Sequence, residues 1–419
     1  MDDATARVFA RIDENWPAEV AFLREIVSHR SELFTERSVQ LAMRQKLASI
    51  GLEVDSFDAD VAEIARRPGF SPIEWGFQGR PQVVGIWKGQ GGGKTLVLNG
   101  HVDVVPIEPV HHWTVDPLAG IVRDGRMYGR GTQDMKGGVA AMTFAVQAIR
   151  EAGIRLKGDV FVQSVIEEEA TGNGTLACIA RGYAGDAALI PEPFDQKILI
   201  GHLGVLWVRA VIRGRAGHAM GASRQVNAID QMIKYHGWLR ALEREWNARK
   251  HPAFAEHDHP LNFNPGVVQG GVWPSSVPSE VTLVTRFACY PDVTPDEAKR
   301  QFLAFMEARQ REDEWFRANP IEFTWYGHHD HGYVLPKEDP FIQQVARAHT
   351  QVTGRPAEYT AMTGVTDTRF WAVHLGKPAT CYGPIGGNLH AADEWVDLES
   401  VRQVTKVIAS VVLDFCGVA

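Results

Sequence analysis

Five short stretches of this chain place imidazoles and carboxylates where apolar runs stop. In "LNGHVDVVP" a strand-forming run closes on Gly100, and His101 and Asp103 follow two residues apart. "GRGTQDMKGG" sets Asp134 between a hairpin and a helix start, and "SVIEEEATGNG" ends on Glu167, Glu168 and Glu169. "ALIPEP" ends on Glu192, and "GGNLHAADEWV" carries His390 in a glycine-rich loop. Each alone has a plain reading: a core histidine, a helix cap, a solvated acidic edge, a surface residue, a loop histidine. Together they imply more, because carboxylates gathered in one crevice repel unless cations neutralise them. Two histidines and three carboxylates without thiolates suit zinc, with manganese or cobalt as substitutes. One catalytic zinc takes about three protein ligands. Five candidates therefore point to two ions sharing a bridging carboxylate, about 3.5–4 Å apart. Such a pair readies a water and polarises a carbonyl, which is the chemistry of amide hydrolysis. Of two adjacent glutamates, one can bind metal while its neighbour faces the water as general base.

The elements that must hold these groups follow from the pattern. A helical stripe over 36–50 ends at Gly51. Strands are expected at 82–87, 95–100, 158–166 and 186–190, a hairpin over 120–131 and a helix from Lys136. Strands alternating with helices predict a mostly parallel sheet covered on both faces, and ligands bind outside the carboxyl ends of such strands. The middle of the chain reads β-α-β-β-α-β, the order of a ferredoxin-like unit. Its first helix carries Ile229, Met232, Ile233, Leu239, Leu242 and Trp246 on one side, and Val281, Leu283, Thr285 and Phe287 share one face of a strand. Alternation of strand and helix resumes with a helix near 340–354, a strand at 378–382 and a terminal helix. The expected architecture is an α/β catalytic domain (1–202 and 328–419) interrupted by an inserted α+β lid or dimerisation domain (203–327).

Composition sets the outer limits. The chain has 419 residues, 45% hydrophobic and 22% charged, the profile of a globular protein. A net charge of −8 argues against nucleic acid or anionic membrane as partner. No apolar run reaches the roughly 18–20 residues of a membrane span. The acidic start lacks a secretion-signal pattern, and four scattered cysteines form no CxxC pair. The expectation is a cytoplasmic protein. Three histidine-rich stretches, 111–113, 251–260 and 326–332, read as solvated loops without a metal role. Trp113, Trp273 and Trp371 lie near or between the motifs and favour an aromatic or apolar substrate group.

The set "GHVDVVP", "YGRGTQDMKGG", "EEEATGNG", "PEP" and "HAADEWV" resembles the M20 family of metallopeptidases and deacylases, in family order from about residue 95 to 396. The resemblance implies that His101, Asp134, Glu169, Glu192 and His390 bind two zinc ions with Asp134 bridging. It also implies that Asp103 orients His101 through the second ring nitrogen, and that the Asp134–Met135 peptide is cis. Counting from Gly158-Asp159 makes Glu168 the general base, whereas aligning on Asn173-Gly174 allows a shift to Glu167 and Glu168. "GRAGHAMGASRQVNAI" resembles the segment whose histidine enters the partner's site. That makes His218 an oxyanion stabiliser and implies a homodimer. Arg286 and Arg369 sit where relatives bind a substrate carboxylate, a task suited to guanidinium, or they form ordinary salt bridges. Ser276 stands where an asparagine is frequent. The implied activity is deacylation of an N-acyl amino acid, with a dipeptidase or carboxypeptidase as the alternative. A catalytically inactive metal-binding dimer is a reading from a different class.

Overall fold

The computed structural model describes residues 2–419. Apolar runs without alternation suit strands buried on both faces, and in the first sheet they form β2 (Gln82–Trp87), β3 (Leu96–His101), β4 (Val160–Val165) and β5 (Ala187–Ile190), while the part-exposed β1 (Glu53–Phe57) adds the edge. A second sheet takes β6 (Gly204–Arg213), β7 (Phe263–Gly270), β8 (Glu280–Cys289) and β9 (Glu322–Asp330). The chain then returns to the first sheet with β10 (Ala379–Cys381). The order of the first is β1-β2-β4-β3-β5-β10. Its centre, β4-β3-β5-β10, is parallel, and β1 and β2 add antiparallel strands at one edge.

Seven longer helices cover these sheets: α1 (Asp3–Ser28), α2 (Arg37–Ser49), α3 (Gly137–Glu151), α4 (Ala228–Asn247), α5 (Pro295–Glu312), α6 (Pro340–Thr353) and α7 (Leu398–Cys416). Helix α3 is buried along most of its length and packs against α1 and α7. Its first turn lies under the carboxyl ends of the parallel strands, where the polar motifs begin.

The second sheet is antiparallel in the order β7-β8-β6-β9, the ferredoxin-like arrangement expected from the β-α-β-β-α-β order. Alternation is strict on β6: Leu206, Val208, Ala210 and Ile212 are buried against α4 and α5, and Trp207 points to the other face. On β8, Val281, Leu283, Thr285 and Phe287 are buried as the pattern predicts. That leaves Val284 and Arg286 on the face with Trp207. Helix α5 starts as predicted, Thr294 Oγ1 accepting the Glu297 N–H with Pro295 in the first turn.

Two expectations change. The stripe on α4 is only partly right: Leu239 and Leu242 are buried together with Gln231 and Tyr235, but Ile229 and Ile233 are exposed, 38% and 60%. The stretch 326–332 is not a solvated loop. Strand β9 runs on to Asp330, and His328 and Asp330 are buried. The stretch 111–113 is an exposed turn, and 251–260 is a loop with a short turn in which His257 meets the Ala361 carbonyl.

Candidate active site

Four of the five motifs leave the carboxyl ends of β3, β4 and β5 or the loop into α3, and the fifth lies between β10 and α7. All converge. His101 Nε2 is 3.1 Å from Asp134 Oδ1, and His390 Nε2 is 3.2 Å from Asp134 Oδ2. Asp134 thus stands between two imidazoles, the position a bridging carboxylate would take. His390 Nε2 is also 3.2 Å from Glu169 Oε2, and His101 Nε2 lies 3.6 Å from Glu192 and 3.9 Å from Glu168. Two triads share His101, one with Asp134 and Glu169 and one with Glu168 and Glu192, their ligand atoms within 4.8 Å of one another. The Asp134–Met135 peptide is cis.

The charges show what the site needs. Burial pushes Glu168 and Glu192 well above the usual carboxylate range. His390 is raised to about 11 by Glu169, with Asp134 adding to the effect. Burial disfavours charge on His101, yet Glu192, Asp134 and Asp103 hold it well above its ordinary value. Among the described residues no lysine or arginine pairs with Glu168, Glu169 or Glu192; only the two histidines do. Three carboxylates thus crowd together with only two histidines to balance them, and the all N/O donor set fits zinc or a similar ion.

Surrounding residues fix the ligands, though not always through the expected atom. His101 Nδ1 meets the backbone carbonyl of Asp103 at 2.9 Å, whereas the Asp103 carboxylate is 3.7 Å away. A carbonyl accepts only, so Nδ1 carries the proton and Nε2 keeps its lone pair for metal. The Asp103 carboxylate instead accepts the N–H groups of Glu168 and Glu169 at 3.4 and 3.2 Å, which ties the β3 end to the glutamate loop. Glu394, inside the last motif but given no role from sequence, accepts from the backbone of Gly131, Gln133 and Asp134 and pairs with Arg130 at 2.7 Å. It clamps the loop that presents Asp134.

Glu167 turns away from the centre. Its carboxylate takes Arg80 Nη1 at 2.7 Å and Trp75 Nε1 at 2.8 Å, and Arg80 also holds Glu36. The backbone at Glu167 is left-handed, with φ +69°, a conformation uncommon outside glycine. That twist sends Glu167 into its arginine cage and leaves Glu168 and Glu169 facing the site.

A cleft of about 760 Å³ opens between the glutamate loop and the second sheet, lined by Glu168, Glu169 and His390 on one side and by Trp207, Arg286 and His328 on the other. Arg286 donates to the Thr363 carbonyl at 3.1 Å. Burial lowers its pKa to about 10 despite an opposing pull from Asp330, and no carboxylate among the described residues forms an ion pair with it. Arg369 differs from the expectation of a substrate contact. It is fully buried, pairs with Asp330 at 2.9 Å and Asp367 at 3.1 Å, and donates to the carbonyls of Thr366 and Thr171. His218 is exposed and lies outside this chain's own cleft, its Nδ1 accepting the Met220 N–H. The indole in the cleft is Trp207, whereas Trp371 is in the core and Trp273 is 68% exposed.

Strand ends gathering histidines and carboxylates that could hold metal ions, beside a ferredoxin-like sheet, are the arrangement of a hydrolase. Residues 97–414 match Peptidase family M20/M25/M40, and the chain belongs to that family, whose members hydrolyse amide bonds. It is 31% identical to the N-formyl-4-amino-5-aminomethyl-2-methylpyrimidine deformylase of Bacillus subtilis, over 94% of this chain and 97% of the relative. To the succinyl-diaminopimelate desuccinylase of Nitrosococcus oceani it is 29% identical, over 81% and 90%. In fold it is similar to the dipeptidase Dug1p of Saccharomyces cerevisiae, with a TM-score of 0.80 at 15% identity over 99% of both chains. Human carnosine dipeptidase 1 gives 0.76 at 16%, again over 99% of both. No helix among the described residues is long and apolar enough to cross a membrane.

Proposed function

We propose that this protein removes the acyl group from an N-acyl amine, with an N-acyl amino acid as the favoured substrate class, and that Glu168 is the general base. The observation that carries the reading is the divergence of the three glutamates: Glu167 is locked to Arg80, while Glu168 and Glu169 face the histidine pair. His101, Asp134, Glu169, Glu192 and His390 would hold two zinc ions, or cobalt or manganese. When bound, such ions acidify water and polarise a carbonyl oxygen. Glu168, raised well above its usual range by burial, is suited to take the water's proton and return it to the leaving amine. Arg286 offers its unpaired guanidinium to a carboxylate.

His218 of a partner subunit would donate to the oxyanion as it develops, which requires a homodimer. Exposed apolar side chains support such an interface: Val267 and Val268 on edge strand β7, Ile233 on α4, and Met220 and Val272 near His218.

The test pairs a substrate panel with one variant. N-formyl, N-acetyl and N-succinyl amino acids and dipeptides are assayed with and without chelator. E168Q should retain metal and lose nearly all turnover. Full activity in E168Q would remove Glu168 as base, and metal-loaded protein inert on the whole panel would sink the deacylase reading.

A further inference from the structure

The second sheet slips register on both outer strands, between Pro265 and Val267 on β7 and between Trp325 and His329 on β9, and the longer slip, on β9, faces the cleft. Strand β9 pairs with β6 through Trp325↔Val208 and then His329↔Leu206. Three residues of β9, Tyr326, Gly327 and His328, therefore lie opposite the single residue Trp207. Bulges of this kind re-aim side chains and gather beside active sites. Gly327 makes the approach feasible: its φ is +69°, and a Cβ there would stand 2.5 Å from the Trp207 ring. Trp207 meets Tyr326 and His328 edge-on, with centroids 6.1 and 5.2 Å apart. Arg209 covers the Tyr326 ring at 4.3 Å.

His328 is anchored from behind. Its Nδ1 is 2.5 Å from Asp330 Oδ2, and Asp330 is itself held by Arg369 and Ser71. A carboxylate accepts, so Nδ1–H donates to Asp330, and in that tautomer Nε2 is the acceptor. Nε2 makes no hydrogen bond to any described residue, and His328, Tyr326 and Trp207 all line the cleft that Glu168 and Glu169 enter from the opposite side. Two flat rings beside one fixed acceptor match a flat ring that carries its own N–H donor.

We propose that Trp207, Tyr326 and His328 form a specificity subsite for the part of the substrate remote from the scissile amide, and that this part is a planar ring bearing an N–H donor, such as an amino-substituted aromatic ring. The proposal rests on the deacylase reading for its substrate but not for its recognition chemistry. His328 Nε2 accepts the ring's N–H, and Trp207 and Tyr326 supply the apolar walls.

The experiment compares N-formyl and N-acetyl forms of 4-aminophenylalanine and phenylalanine, with the leucine derivatives as a ring-free control, on metal-loaded enzyme. The amino substituent should raise kcat/KM by about tenfold, the scale of one hydrogen bond. H328F keeps a ring and loses the acceptor, so it should lower kcat/KM for the amino-substituted ring about tenfold more than for phenylalanine. Equal losses on both substrates, or no preference in the unaltered enzyme, overturn the subsite. Hydrolysis of the leucine derivatives without ring preference would reject the subsite and leave the deacylase reading standing. If no amide is hydrolysed, calorimetric binding of 4-aminophenylalanine against phenylalanine reads the subsite directly: tighter binding of the amino form upholds it and equal affinity rejects it.

Discussion

Replacing Arg369 by leucine separates a structural guanidinium from a substrate-binding one. The side chain is fully buried between Asp330 and Asp367, both also buried. Its loss leaves Asp367 and Asp330 buried without their shared guanidinium, and breaking a buried pair in this way costs about 3–5 kcal/mol. The midpoint of thermal unfolding should fall by roughly 6–20 °C, at about 2–4 °C per kcal/mol. An independent magnitude comes from Asp330. Burial raises its pKa, but Arg369 and His328 pull it down to about 2, against 3.8 for an exposed aspartate. At 1.36 kcal/mol per unit that amounts to roughly 2–3 kcal/mol. A carboxylate with a lowered folded pKa stabilises fully above its unfolded value and loses that contribution as pH falls towards 2. The gap between the unaltered protein and R369L should therefore be widest near neutral pH and narrow below about pH 4. Urea unfolding from pH 3 to 7, beside KM on the best substrate of the panel, measures both. An R369L protein that unfolds with the parent and shows only a raised KM would refute the burial argument.

Three further outcomes follow from the same geometry. R286L should raise KM for substrates carrying a carboxylate by about 10–100-fold, the scale of a charged hydrogen bond, with less change for uncharged amides; steady-state kinetics on matched acid and amide substrates checks it. Carboxylates raise the pKa values of His101 and His390, and burial raises those of Glu168 and Glu192, so zinc binding here should release protons and tighten as pH rises. Calorimetry in buffers of different ionisation enthalpy detects that release. G138A should weaken metal retention about 10–100-fold, the scale of losing a ligand's support, because a Cβ at Gly138 would overlap the Pro191 carbonyl next to Glu192. Competition with a chelator measures it.

The convergence of the five motifs was legible because polar residues crowded at the ends of apolar strands have few structural uses. The second sheet was legible through alternation: β6 and β8 put every second residue against α4 and α5. What escaped depends on partners distant in sequence. Arg369 looks the same in sequence whether it meets a substrate or Asp330, 39 positions earlier. On α4 the periodicity identified an apolar stripe but not which part the sheet would cover. Gln231 and Glu243 went inward, Glu243 accepting the Phe263 N–H, while Ile229 and Ile233 faced out. The stretch 326–332 was misread because histidine density suggests solvent. The one local clue was Gly327, which permits the bulge against Trp207.

The five residues proposed to hold metal straddle the second sheet in sequence: His101, Asp134, Glu169 and Glu192 precede it, and His390 follows it. So do β10, which completes the parallel edge, and α7, which packs on α3. During synthesis a ribosome therefore exposes a crowd of acidic side chains long before the final imidazole emerges. On the proposed assignment, the metal site can be completed only when the chain is nearly finished, and a polypeptide released early would carry an acidic pocket with one histidine missing.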